Sequence, residues 1–173
     1  MQGRSRMFWG PLSRYGLVAA AIACLLDQAS KLYLLKVFDL AGKGAVKLMP
    51  FVDLVLTWNT GISYGWFQQE GPFGQGALLA LKVVAVALLW IWLAKAASRL
   101  SAISLGLIIG GAVGNGIDRL AYGAVVDFVL LHAETATWAF NWYVFNLADV
   151  AIVAGVAVLL YESLRGDSAV KAP

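Results

Sequence analysis

Four stretches of the chain stay apolar long enough to cross a bilayer, which takes roughly 20 residues at about 1.5 Å each. They run from about Leu12 to Leu35, Gly76 to Ala96, Ser101 to Leu120 and Trp142 to Leu164. The first and third are interrupted toward their C-terminal ends. Asp27, Gln28, Ser30 and Lys31 gather in one, and Asn115, Asp118 and Arg119 in the other. Between the first and second spans lies a polar insert, about 36–75. In its "FVDLVLTWNTGISYGWF", Val52, Leu54, Leu56 and Trp58 alternate with Asp53, Val55 and Thr57, a period near 2 that predicts a half-buried strand. Asn59-Thr60-Gly61 is a turn signal, and "ISYGWF" is expected to return as the partner strand. The stretch 121–141 reads as an extended piece around Asp127 followed by a short apolar-faced interfacial segment. Gly106, Gly110 and Gly114, at spacing four, form a small-residue stripe that predicts close helix approach.

Composition strengthens this pattern. The chain is 61% hydrophobic and 13% charged, against about a quarter charged in soluble domains. Mean hydropathy is +0.76. The fold class is therefore an all-α membrane protein. Four transmembrane helices carry a small extracytoplasmic β-hairpin or cradle and a short interfacial segment, in a single integral membrane domain over 1–173. A net charge of +3 is the ordinary Lys/Arg excess of a membrane protein and predicts no nucleic-acid partner. The single cysteine, Cys24, excludes an intrachain disulfide and reads as a small apolar residue. The N-terminus, with Arg4, Arg6 and Arg14 before an apolar run, lacks a convincing small-x-small cleavage site, so the first span is expected to be retained.

Orientation follows the basic residues. Arg4, Arg6, Arg14, Lys95, Arg99, Arg165 and Lys171 fall on one side of four alternating spans, while Lys31, Lys36, Lys43, Lys47 and Arg119 fall on the other. The bias predicts both termini in the cytoplasm. Trp9, Tyr15, Trp90, Trp92, Trp138, Trp142 and Tyr143 suit interfacial belts.

With that topology the intramembrane carboxylates share one leaflet. Asp27 sits late in the first span, Asp118 ends the third, and Asp149 is about seven residues inside the fourth, roughly 10 Å deep. Asp127 belongs to the loop joining the third and fourth. A carboxylate at the centre of a span costs at least ~2.5 kcal/mol, so each needs a partner or a use. Asp27 and Lys31, four apart, make a plausible intrahelical ion pair; Asp118 and Arg119 can reach headgroups from the helix end. Asn115 and Arg119, also four apart, form a local polar pair or hold a partner's carboxylate. Lys82 is placed near the outer end of the second span, where it can snorkel. Asp149 has no local cation.

Few chemistries fit this set. Ser30 and Lys31 are adjacent on a helix and point about 100° apart, which defeats a Ser-Lys dyad. His132 is the lone histidine and reads as an interfacial polar residue. Zinc lacks a His/Cys cluster, and no D-x-x-D motif concentrates charge for Mg²⁺, so no metal or cofactor is expected. Paired carboxylates remain. Two aspartates held close in a partly dehydrated site cannot both ionise easily; the ionised one takes a proton from water while the protonated one bonds the carbonyl under attack. Asp127 and Asp149 are the natural pair. The rivals are a small proton-coupled transporter using Asp149, and a non-enzymatic assembly factor whose polar residues join helices.

"DQASK" at 27–31, "NTGISYG" at 59–65, "GNGIDR" at 114–119, "VVDF" at 125–128 and "FNLADVAI" at 145–152 together resemble the signature blocks of the bacterial lipoprotein signal peptidase (signal peptidase II) family. The resemblance runs from the first span to the fourth. It implies an inner-membrane aspartic endopeptidase that cuts prolipoproteins just before a diacylglyceryl-modified cysteine, with its active site at the outer, periplasmic face. Asp127 and Asp149 match the catalytic pair. Asp27, Asn59, Asn115, Asp118, Arg119, Asn146 and Ala148 match positions for substrate binding, site support or contact with peptide antibiotics such as globomycin. Many relatives carry Ala-Ala-Phe-Ser where this chain has Ile62-Ser63-Tyr64-Gly65.

Overall fold

The computed structural model describes residues 7–61, 71–134 and 137–170. Four long helices are present: α1 (Ser13–Leu32), α2 (Pro72–Ala94), α3 (Arg99–Tyr122) and α4 (Leu147–Val170). Each is long and apolar enough to cross a membrane. A π-helical turn, Tyr33–Val37, extends α1, and a single helical turn spans Leu40–Lys43.

The middle of the bundle is α3, which packs most extensively on α1 and α4 and also on α2. Its glycines make this possible. A Cβ at Gly106 would lie 2.2 Å from the Gly16 carbonyl oxygen, and one at Gly110 2.4 Å from that of Ala20. The stripe expected from spacing is thus where the α1 and α3 backbones meet. Ala20, Leu93, Ala102, Leu105 and Ile109 fill the adjoining core. The helices alternate in direction, since contacts join the start of α1 to the end of α2 and the start of α3 to the end of α4. Trp90 Nε1 donates to the Phe8 carbonyl at 2.8 Å, Arg99 lies over the Tyr15 ring at 5.2 Å, and Ser98, the N-cap of α3, bonds Glu162. Arg14, Lys95, Arg99 and Arg165 therefore share one end of the bundle.

The other end carries an antiparallel sheet in the order β1 (Val46–Met49), β2 (Val52–Asn59), β3 (Val125–Glu134) and β4 (Ala139–Asn141). The strand expected at Val52–Trp58 is β2. Its partners among the described residues are β1 and β3, whereas the "ISYGWF" return lies outside them. The register sets Thr57 opposite Asp127 and Asn59 opposite Val125, with a bulge between Leu54 and Thr57. Beyond Asp127, β3 stays extended through Glu134 and β4 pairs back onto it. Trp138, Phe140 and Trp142 nonetheless remain exposed, with Trp138 stacked on Phe140. Leu34, Leu40, Leu54 and Phe128 weld the sheet to the end of α1. Gly123, at φ 72°, caps α3 and turns the chain into β3, a left-handed conformation suited to glycine.

Candidate functional site

The fourth helix starts later than its apolar run. Hydropathy places Asp149 about seven residues inside a span beginning near Trp142, but 142–146 is extended: Trp142 N–H bonds the Leu131 carbonyl, and Phe145 pairs with Val129. Sheet hydrogen bonds hold these residues out of the helix, which begins at Leu147. Asp149 is thus in the first turn, not a third of the way down. Asn146 caps that turn reciprocally. Its Oδ1 accepts from the Asp149 N–H at 3.0 Å, and the Asp149 Oδ2 accepts from the Asn146 N–H at 3.2 Å. This is capping-box geometry built from Asn and Asp, and a carboxylate there complements the positive end of the helix.

Asn146 also reaches the other aspartate. Its Nδ2 donates to Asp127 Oδ1 at 2.6 Å, and to Asn115 Oδ1 at 3.0 Å. Asn59 Nδ2 donates to Asp127 Oδ2 at 3.0 Å, while Asn115 Nδ2 donates to Asp149 Oδ1 at 2.9 Å. One residue therefore tethers both carboxyl groups, and a second amide steadies each. The strand position of Asp127 follows from β2–β3 pairing, which brings Asn59 alongside it. Burial and the negative charge of Asp149 push the Asp127 carboxyl up to about 7; the hydrogen bonds from Asn59 and Asn146 and the charge of Lys31 oppose that rise.

Beneath the pair is a dry ionic cluster. Lys31 Nζ is 2.8 Å from Asp27 Oδ2, 2.6 Å from Asp118 Oδ2 and 3.0 Å from Asn115 Oδ1, with Asp27 and Asp118 both 0% exposed. The expected Asp27–Lys31 pair is present, and Asp118 joins it instead of reaching toward headgroups. Every donor of Lys31 is used, the condition under which a buried ammonium is tolerable. The remaining lone pairs reach outward. Asp27 Oδ1 accepts from the Ala148 N–H at 3.0 Å, so a carboxylate of α1 caps α4. Asp118 accepts from the Val126 N–H at 3.1 Å and from Gln28 Nε2 at 2.8 Å, which fixes β3 against α3. Asn115 and Arg119 are not paired with each other. Arg119 donates to Gln75 Oε1 at 2.6 Å and to the Gly61 carbonyl, tying α3 to α2 and to the end of β2.

A cavity of about 660 Å³ opens beside the aspartates. Asp127, Asp149, Asn59, Asn115 and Arg119 line its polar wall; Leu78 and Leu81 of α2 and Val150, Val153 and Ala157 of α4 line its apolar one. Lys82, expected near the end of its span, lies ten positions after Pro72 and also lines this cavity. The helix starts earlier than the run of apolar residues suggests, because Pro72 opens it at N1. Gln75 has no signal in the sequence pattern, whereas Gln28 and Lys31 stand out there as polar residues late in the first span, and the i, i+4 spacing of Asp27 and Lys31 points to the first contact of the network. The Asn146-x-x-Asp149 pattern was the available signal for the helix start.

Comparisons with known proteins agree with this architecture. A family profile described as Signal peptidase (SPase) II matches residues 19–165. The chain is 62% identical over 160 residues to a lipoprotein signal peptidase of Rhodopseudomonas palustris, covering 92% of this chain and 98% of that one. To a lipoprotein signal peptidase of Nitrobacter hamburgensis it is 63% identical with the same coverage. A solved bacterial membrane enzyme structure superposes with a TM-score of 0.66 at 22% identity over 91% of each chain, and shares the fold. With a profile match through all four helices and relatives this similar along nearly their whole length, the chain belongs to the signal peptidase II family.

Proposed function

We propose that this multi-pass protein, acting as one integral membrane domain, is an aspartic endopeptidase. It would remove signal peptides from diacylglyceryl-modified prolipoproteins by cutting before the lipidated cysteine. The observation that carries the reading is the double tether of Asp127 and Asp149 on Asn146 at the wall of a mostly apolar cavity. Asp127, protonated below about pH 7, hydrogen-bonds the scissile carbonyl oxygen. Asp149, ionised, accepts a proton as the water oxygen bonds the carbonyl carbon. Asp127 passes its proton to the carbonyl oxygen to give a tetrahedral diol, and takes a proton back from a diol hydroxyl as that intermediate collapses. The proton held by Asp149 then passes to the leaving amine, the C–N bond breaks, and the carboxyl product and the lipidated cysteine's free amine depart. Asp127 ends protonated and Asp149 ionised, so the cycle closes without a covalent enzyme intermediate.

The membrane gives this chemistry a geometric problem: acyl chains belong in lipid while the peptide bond must meet water. The apolar wall shared by α2 and α4 suits a lipid-embedded segment, and the sheet above it offers backbone groups to an extended peptide. In this reading both termini are cytoplasmic, matching the end that gathers Arg14, Lys95, Arg99 and Arg165, and the aspartates work at the outer face. Asp27 and Asp118 support the site through Lys31, Asn59 and Asn115 hold the aspartates, Arg119 secures the roof, and Ala148 keeps α4 close to α1. Cyclic peptide antibiotics such as globomycin would inhibit by occupying the same cavity.

The test is cleavage of a lipidated and an unlipidated prolipoprotein by purified protein, with Asp127→Asn and Asp149→Asn alongside. Cleavage of the lipidated form alone, unaffected by chelators and serine-directed reagents and abolished in both variants, is the expected result. Turnover surviving in either variant would refute the mechanism.

A further inference from the structure

The hydrogen-bonded cluster leaves one charged residue of the cavity unexplained. Lys82 sits about 15 Å along α2 from Pro72, flanked by apolar residues from Ala77 to Ala94, and is half-buried. Among the described residues it forms no ion pair or hydrogen bond. An ammonium at such depth is costly unless it reaches a polar wall, and the wall it shares is that of Asn115, Arg119 and Asp149.

The other groups around Asp149 are already committed. Lys31 from α1 is divided among Asp27, Asp118 and Asn115. Arg119 from α3 is bonded to Gln75 and Gly61. Asn115 from α3 is neutral, and Asp127 from β3 repels. Lys82 and Asp149 line the same cavity, one from α2 and the other from the first turn of α4, which leaves Lys82 as the uncommitted cation, among the described residues, on the wall shared with that carboxylate.

We propose that Lys82 is a positioning residue: its ammonium, on the α2 wall of the cavity, holds Asp149 as the ionised partner and so leaves the shared proton on Asp127. The assignment rests on the aspartic reading above and deepens it. A fixed positive charge across a cavity of this size favours a carboxylate by about one pH unit at an effective protein dielectric. Removing it makes Asp149 harder to deprotonate, so the acidic limb of the pH–rate profile moves to higher pH.

The experiment measures kcat and KM for a lipidated prolipoprotein peptide between about pH 4.5 and 9, using the full chain in detergent–lipid micelles. Wild type is compared with Lys82→Met, Lys82→Gln and Lys82→Arg. Lys82→Met and Lys82→Gln should shift the acidic limb up by about one unit and cut kcat several-fold near pH 5, with KM unchanged. Lys82→Arg should restore the wild-type limb. Profiles that superimpose, or a loss uniform across pH that Arg does not rescue, would overturn the assignment. Asp149→Asn separates the two failures: if it is inactive while the Lys82 variants keep the wild-type limb, only the role of Lys82 falls. If Asp149→Asn cleaves, the aspartic reading falls with it.

Discussion

Asn146 shows how much a single side chain can organise. Its amide oxygen caps a helix, its amide nitrogen bonds Asp127, and its backbone N–H bonds Asp149. The two carboxyl groups are thereby held at one place with unlike surroundings, the condition for giving them unlike protonation. A pH dependence follows from Asp127. Its raised value near 7 means that the folded protein holds this proton more tightly than an unfolded chain at 3.8 does. Its contribution to stability is therefore greatest below about pH 4 and declines as pH rises to about 7. Activity that needs the proton falls over a basic limb centred near 7. Thermal unfolding in micelles should fall between pH 5 and 8 more steeply for wild type than for Asp127→Asn, which in turn should lose at least ~10³-fold in kcat. Equal slopes in the two proteins would remove Asp127 as the titrating group.

At the scale of elements, the site is a junction of α1, α3, α4 and β3, and the buried ions are its fasteners. Lys31→Met would leave Asp27 and Asp118 facing each other without a cation; a loss of about 3–5 kcal/mol is expected, read as a lower unfolding midpoint in denaturant. A milder change separates position from stability. A Cβ at Gly111 would fall 2.4 Å from the Ala148 carbonyl oxygen, so Gly111→Ala must push the first turn of α4 away from α3. Asp149 is the next residue. Since misplacement by about 1 Å can cost ~10²-fold in rate, kcat should drop on that order while the helices remain assembled by circular dichroism. Unaltered kcat would show that the turn accommodates the methyl elsewhere.

For the whole molecule, asymmetry between its ends is the main feature. One end gathers Arg14, Lys95, Arg99 and Arg165 with Trp9 against Trp90; the other carries the sheet, the aspartates and an exposed aromatic row from Trp138 to Tyr143. If the basic end is cytoplasmic, a membrane-impermeant thiol reagent applied to intact cells or spheroplasts should label Lys47→Cys on the sheet and spare Lys95→Cys. The reverse pattern would invert the orientation.

The order of helices, a strand beginning at Val52 and the nearness of Asp127 to Asp149 were all readable along the chain. Hydropathy and period report on each residue's solvent, and a costly carboxylate in an oily segment announces itself. Where α4 begins was not readable from hydropathy, because Trp142–Phe145 is as apolar as the helix that follows and only pairing with β3 keeps it extended. Nor was it evident that Asp118 abandons the headgroups for Lys31, or that Lys82 lines the cavity. Sequence alone determined which residues were too costly to be idle. Tertiary structure decided which of them met, because those contacts are made between elements that pattern cannot orient against one another.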